Sequence, residues 1–165
     1  MGWALPASIG VSLASNRPVL AIIGDGSFMS NIQELMTASF HNLDIKFIVL
    51  NNGGYLSIKN TQTKYFSGRV YGTGDMAGLC FPDLSKVATA FNMNHVLIET
   101  GSEISNLGKY LAQSGPLIIE VMCQHDQEIL PAQAFKGGIQ AGLHDMAPFL
   151  TDEEIHQEMI ISLKK

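Results

Sequence analysis

Val19-Leu20-Ala21-Ile22-Ile23-Gly24-Asp25-Gly26-Ser27-Phe28 is the stretch on which the fold turns. Its first five residues are continuously apolar and rich in β-branched side chains, the pattern of a strand covered on both faces. Gly24-Asp25-Gly26-Ser27 breaks the run, and Ile32, Leu35, Met36 and Phe40 then recur at helical spacing. Lys46-Phe47-Ile48-Val49-Leu50 reads as a second buried strand, halted by Asn51-Asn52-Gly53-Gly54. Strand, turn, helix and strand make a βαβ unit, which implies a right-handed parallel crossover.

The same alternation extends outward. Upstream, Ala4 to Ala14 reads as a buried helix stopped by Ser15-Asn16-Arg17-Pro18. Downstream, residues 53–82 have little periodicity and are punctuated by Gly53, Gly54, Gly68, Gly72, Gly74 and Gly78, with Tyr55, Tyr65, Phe66 and Tyr71 among them. So long an aperiodic stretch in a compact domain is expected to be a functional loop that orders over a ligand, with a plain linker as the alternative. A helix from Asp83 to Phe91, a strand from His95 to Ile98, a helix from Glu103 to Gln113 and a strand from Pro116 to Met122 follow. Cys123 to Pro148 reads as irregular, and Asp152 to about Leu163 as a short amphipathic helix. The expected fold is α/β: an open, doubly wound, mostly parallel sheet with helices on both faces. Residues 1–150 are expected to form the domain, and residues 151–165 a helix packing on it or on a partner.

Composition narrows the function. Of 165 residues, 46% are hydrophobic and 15% charged, which suits a buried sheet with large contact surfaces. The net charge is −5 and the lysines and arginines are scattered, which argues against a nucleic-acid groove. No apolar run is long enough to span a membrane. Cys80 and Cys123 have no metal-type spacing and read as free thiols in a reducing cytoplasm. His41, His95, His125, His144 and His156 likewise lack metal-type spacing and are expected to be structural, His125 included although it follows the last strand. Met29, Met36 and Met122 read as core or interface filler.

In open parallel sheets ligands bind at the carboxyl ends of strands, and two such ends carry unusual polar residues. Gly26 allows close backbone approach, and a helix starting near Ser30 would offer unpaired N–H groups to an anion. Asp25 offers a hard carboxylate oxygen and Asn52 an amide oxygen, and a glycine carbonyl beyond it can complete the set. With two phosphate oxygens these form a reasonable Mg²⁺ shell, and metal and helix terminus together would hold a diphosphate.

Gly24-Asp25-Gly26, twenty-four intervening residues and Asn51-Asn52 resemble the signature of thiamine-diphosphate enzymes. Gly24 to Phe28 with Gln33-Glu34-Leu35 is similar to the GDGSF…QEL stretch of acetolactate synthases and related 2-oxo-acid decarboxylases. Met1-Gly2-Trp3-Ala4-Leu5-Pro6 resembles the start of their MGxxLPAAIG helix, Pro82-Asp83-Leu84 their PDFxxLAxAFG segment, and Gly115 to Val121 their GPxLIEV strand. The resemblance implies thiamine diphosphate and Mg²⁺ as cofactors, with Asp25, Asn52 and the carbonyl of Gly54 as metal ligands. It places Gly24, Gly26, Ser27 and Tyr55 at the cofactor, and Met1 beneath the thiazolium, where it would enforce the bent cofactor shape. Asn92 departs from the family's helix-ending glycine, a mild change because Asn tolerates left-handed backbone. Gln33 and Glu34 read equally as a solvated helix face or as part of a dimer interface.

The resemblance also implies partners: a 2-oxo acid substrate, a homodimer or larger assembly, and a pyrimidine-binding domain or subunit that supplies a catalytic Glu. No residue of this chain is assigned that catalytic role. Met1 to Pro6 enters helical pattern at once, so the chain is expected to be cut from, or to begin inside, a longer domain and to be catalytically incomplete alone. The alternatives are one subunit of a split decarboxylase and a truncated, non-catalytic oligomerising remnant. The tail, Asp126 to Pro131 and His144 to Leu150, resembles a branch linked to sugar and surface-polysaccharide pathways.

Overall fold

The computed structural model describes residues 1–128 and 130–160. They fall into two compact units, Met1–Asp126 and Gln127–Lys165. In the first unit the elements run α1 (Ala4–Ser15), β1 (Val19–Gly24), α2 (Asp25–Met29), α3 (Leu35–Phe40), β2 (Ile45–Asn51), α4 (Leu56–Tyr65), α5 (Leu84–Ala90), β3 (Asn94–Ile98), α6 (Leu107–Leu111) and β4 (Leu117–Met122). The strands form one sheet in the order β1-β2-β4-β3, every pair parallel. This is the expected α/β architecture.

Side chains alternate across the sheet, and each face carries its own core. On one face Ala21, Ile23, Ile45, Phe47, Val49 and Ile118 meet Leu5 and Ile9 of α1, Phe28 of α2, Leu35 and Ala38 of α3, and Leu84, Val87 and Ala88 of α5. Phe28 and Phe47 are fully buried and pack edge to face, 6.1 Å between centroids. On the other face Ile48, Ile98, Leu117 and Ile119 pack with Leu107 and Tyr110 of α6. The cover on that face stops short of β1, where Leu20 and Ile22 are 50% and 61% exposed.

The faces follow from the winding. Outward steps, β1 to β2 and β2 past β4 to β3, cross by α2–α3 and by α5 on the first face. The backward step from β3 to β4 crosses by α6 on the second. Reversing direction while changing face gives all the crossovers one hand, as parallel sheets require.

Three expectations are corrected. The helix expected near Ser30 begins at Asp25, directly on the strand tip, and breaks at Ser30-Asn31 before a single 3₁₀ turn, Ile32–Glu34, leads into α3. Asn31 leaves helical geometry (φ −138°, ψ 38°), and its amide nitrogen donates to the Gly2 carbonyl at 2.6 Å. A short polar side chain bonded elsewhere competes with the helix ladder. Residues 53–82 are not wholly aperiodic, because they contain α4, none of whose residues is fully buried. A helix without an apolar stripe leaves no period to read. Finally, the helix expected from Glu103 is a 3₁₀ stretch, Gly101–Asn106, opened by a Thr100/Glu103 capping box and followed by the short α6.

The second unit holds a two-stranded hairpin of β5 (Phe135–Lys136) and β6 (Ile139–Gln140) inside the segment read as irregular. Gly137 and Gly138, both at positive φ, make its two-residue turn, the geometry that matches strand twist. Helix α7 (Asp152–Glu158) opens with a Thr151/Glu154 capping box and buries Ile155. The helix expected to reach about Leu163 is shorter: it ends at Glu158, where Met159 turns to extended backbone (φ −76°, ψ 120°), and residues 161–163 lie outside those described. Among the described residues no helix is long and apolar enough to cross a membrane.

Candidate functional site

Asp25 sits on the tip of β1 and is 4% exposed. Its Oδ1 accepts the Gly26 N–H at 2.7 Å, and its Oδ2 accepts the Gly54 N–H at 3.0 Å from the loop after β2. The same Gly54 N–H also reaches Asn52 Oδ1 at 3.3 Å. One amide therefore lies between the two side-chain oxygens that sequence reasoning singled out. Burial pushes the Asp25 carboxyl above its ordinary range, and the N–H groups of Gly26, Gly54, Gly53 and Asn52 pull the other way without cancelling it. Among the described residues no Lys, Arg or His forms an ion pair with it.

The glycines are there because other groups occupy the space a side chain would need. A Cβ on Gly26 would overlap the Tyr55 ring, which packs edge to face on Phe81 at 5.8 Å. A Cβ on Gly54 would overlap the carbonyl of Thr73, which accepts the Tyr55 N–H at 2.9 Å. Gly53 adopts φ +74° with the His125 imidazole against it.

Asp25, Gly26, Asn52, Gly54 and Tyr55 are thus brought together. Ser27 turns to the amino terminus, where its Oγ accepts the Gly2 N–H at 2.9 Å. Gly24 is exposed, with open space where a Cβ would stand. Met1 is 83% exposed and takes no part in the cluster.

Three residues beside the site were not assigned to it: His125, Thr73 and Asp126. Expected to be structural and off any pocket, His125 instead places Nδ1 2.6 Å from the Asn52 carbonyl and lines a cavity of about 300 Å³ beside Asn52–Gly54. Its place just beyond the carboxyl tip of β4 was the signal that could have found it. Thr73 walls the same cavity, and its buried hydroxyl has no hydrogen-bond partner among the described residues. Asp126, on the cavity too, pairs with Lys59 of α4, whose hydrogen bond and charge hold the carboxyl below its usual range. Cys123 is half-buried, and burial and the Asp25 charge push its thiol up, away from a reactive thiolate. Among the described residues no three His, Cys, Asp or Glu side chains converge as a metal cluster.

The sequence matches the thiamine pyrophosphate enzyme, C-terminal TPP binding domain, over residues 1–121. The chain belongs to that family. The matched stretch of this TPP-binding domain contains the whole sheet apart from the last residue of β4, with Asp25, Asn52 and Gly54, and stops before His125. Acetolactate synthase 1, chloroplastic, of Oryza sativa subsp. japonica is 31% identical over 137 residues, which is 79% of this chain and 21% of the synthase. The acetolactate synthase large subunit of Lactococcus lactis is 28% identical over 145 residues, 87% of this chain and 24% of the subunit. The thiamine diphosphate-dependent 4-hydroxybenzoylformate decarboxylase of Rhodococcus jostii RHA1 superposes with a TM-score of 0.68 at 28% identity, over 78% of this chain and 24% of that one. The TPP-binding domain described here thus spans between a fifth and a quarter of the length of these relatives. Thiamine diphosphate is the cofactor of its family.

Proposed function

We propose that this TPP-binding domain holds the diphosphate of thiamine diphosphate through Mg²⁺ in an acetolactate synthase-like enzyme acting on a 2-oxo acid. The observation that carries the proposal is the Gly54 amide shared by Asp25 Oδ2 and Asn52 Oδ1, beside a buried carboxylate with no basic side chain paired to it among the described residues. A desolvated carboxylate, an amide oxygen and a backbone carbonyl form the all-oxygen donor set that a small, hard divalent cation takes. The fit is therefore good: Asp25, Asn52 and the Gly54 carbonyl would hold Mg²⁺. Gly24, Gly26 and Ser27 would line the diphosphate, with Tyr55 and Met1 toward the rest of the cofactor. When bound, thiamine diphosphate supplies a nucleophilic carbon and an electron sink for decarboxylation of a 2-oxo acid. The chain's own part is position and charge: the Asp25 carboxylate fixes the cation and the glycines let the backbone approach it.

Catalysis in this reading also needs a pyrimidine-binding domain or subunit, and the 21–24% share of the relatives' lengths supports such a division of labour. Assembly into a dimer or larger is supported by exposed apolar residues at α1, Trp3 just before it and Val11 and Leu13 on it. The free thiols of Cys80 and Cys123 fit a reducing cytoplasm.

Isothermal titration of the chain with thiamine diphosphate and Mg²⁺ tests the reading. Heat that requires Mg²⁺ and disappears in Asp25→Ala is expected, and equal heat from both proteins would overturn it. Pyruvate turnover measured with and without a pyrimidine-domain partner tests the division of labour, and turnover by the chain alone would refute it.

A further inference from the structure

The first asparagine of the Asn51-Asn52 pair touches neither Asp25 nor the shared Gly54 amide, yet it is the better anchored of the two. Asn51 is the last residue of β2, and its Nδ2 donates to Glu120 Oε1 on neighbouring β4 at 2.5 Å. Glu120 is 8% exposed, and its other oxygen lies 2.8 Å from Nε2 of His95 on the edge strand β3. The Nδ2–Oε1 bond turns the NH₂ edge of Asn51 toward Glu120. That leaves Asn51 Oδ1 on the opposite side, where it accepts the Gly53 N–H at 3.0 Å. Gly53 is the left-handed residue of the turn, at φ +74°, and Gly54 follows with its amide on Asp25 and Asn52. A hydrogen-bonded chain therefore crosses the sheet: His95 on β3, Glu120 on β4, Asn51 on β2, the Gly53-Gly54 turn, then Asp25 at the tip of β1.

We propose that Glu120, steadied by His95, is a positioning residue: it fixes the flip of the Asn51 amide, which pins the Gly53 N–H and so sets where Asn52 and Gly54 present their oxygens. This rests on the reading of that turn as the metal- and diphosphate-holding element. Glu120 and His95 touch no cofactor in this scheme, and Asn51 acts as the pivot between buried strand and site. A buried acceptor of this kind carries more than its own bond, because removing it strands an amide that can then rotate.

Two measurements on the full chain test the proposal. The first is the affinity for thiamine diphosphate with Mg²⁺ by titration calorimetry. The second is residue-resolved amide hydrogen exchange in the absence of cofactor. Glu120→Leu is expected to weaken binding by on the order of tenfold, the cost of a lost charge-assisted hydrogen bond. It is expected to speed exchange at Gly53 by a similar factor, with the strand amides of Ile48 and Ile119 unchanged. Glu120→Gln keeps an acceptor for Asn51 and offers its own amide to His95, so it is expected to stay within about threefold of the native chain in both readouts. Should Glu120→Leu fail to fold, Asn51→Ala decides by the same criteria, since it removes the pivot and leaves the carboxylate in place. Native affinity together with native Gly53 exchange in the variant would overturn the proposal. Uniformly faster exchange across the sheet would also overturn it, because that marks a packing defect. A native chain that binds no cofactor would defeat the functional reading instead, and the Gly53 exchange would still judge the positioning role.

Discussion

Folding removes the Asp25 carboxylate from water and surrounds it with N–H groups, but among the described residues no basic side chain pairs with it. The sign of the consequence can be worked out. With its folded value raised above the ordinary 3.8, Asp25 binds a proton more tightly folded than unfolded. Its stabilising contribution is complete below 3.8 and is lost as pH rises through the raised value. In metal-free buffer the melting temperature of the native chain, minus that of Asp25→Asn, is expected to fall with pH above that point, and Mg²⁺ with thiamine diphosphate should flatten the decline. The carboxylates of Asp83, Glu103, Asp126 and Glu154 are held low by hydrogen bonds, so their contribution is lost only as pH falls, in a separate and more acidic window. The same Asp25→Asn substitution is expected to weaken Mg²⁺-dependent cofactor binding by on the order of a hundredfold, read by calorimetry. Asp25 and Asn52 were legible because a carboxylate and an amide among glycines at two strand tips is a chemical pattern that needs no partner to be noticed. Thr73 and Glu120 were not, and His125 offered only its place beyond the carboxyl tip of β4. Each matters through a contact to a residue far away in sequence, and neither composition nor period records such a contact.

The four strands of the parallel sheet were readable to within one residue at every end, because each is written as an apolar run, whereas the two-residue strands β5 and β6 carry none. The helices were harder. Where the helix after β1 breaks is decided by the side chain of Asn31 reaching Gly2, and α4 has no apolar stripe to betray it. The loop after β2 nevertheless has firm restraints. The Thr73 carbonyl lies where a Gly54 side chain would go and receives the Tyr55 amide, so residues 53–55 and 73–74 are locked backbone to backbone. Gly54→Ala must push that carbonyl away, and a cost of about 1–3 kcal/mol in urea unfolding is expected, the usual range for overpacking. Gly72→Ala is a useful control in the same loop: open space surrounds it, so its penalty reflects positive φ alone. A larger loss at position 72 than at 54 would show that contact is not what restrains the loop.

Across the molecule, cover is uneven. One face of the sheet is filled by α1, α2, α3 and α5, the other mainly by α6, and Trp3 just before α1 and Val11 and Leu13 on it are 77%, 53% and 59% exposed. Light scattering of the purified chain, 17.9 kDa as a monomer, is expected to give at least twice that mass. Val11→Lys with Leu13→Lys is expected to raise the monomer fraction if α1 carries the contact. The bare flank of β1 has a further, practical meaning. It is the outermost ribbon of the sheet among the described residues, and its oily side chains Leu20 and Ile22 lie beside unpaired backbone. Such an edge is a template for unplanned stacking. Stored concentrated and without companions, the protein is expected to turn cloudy while its far-ultraviolet ellipticity is still intact, and a single lysine in place of Ile22 to lengthen its shelf life.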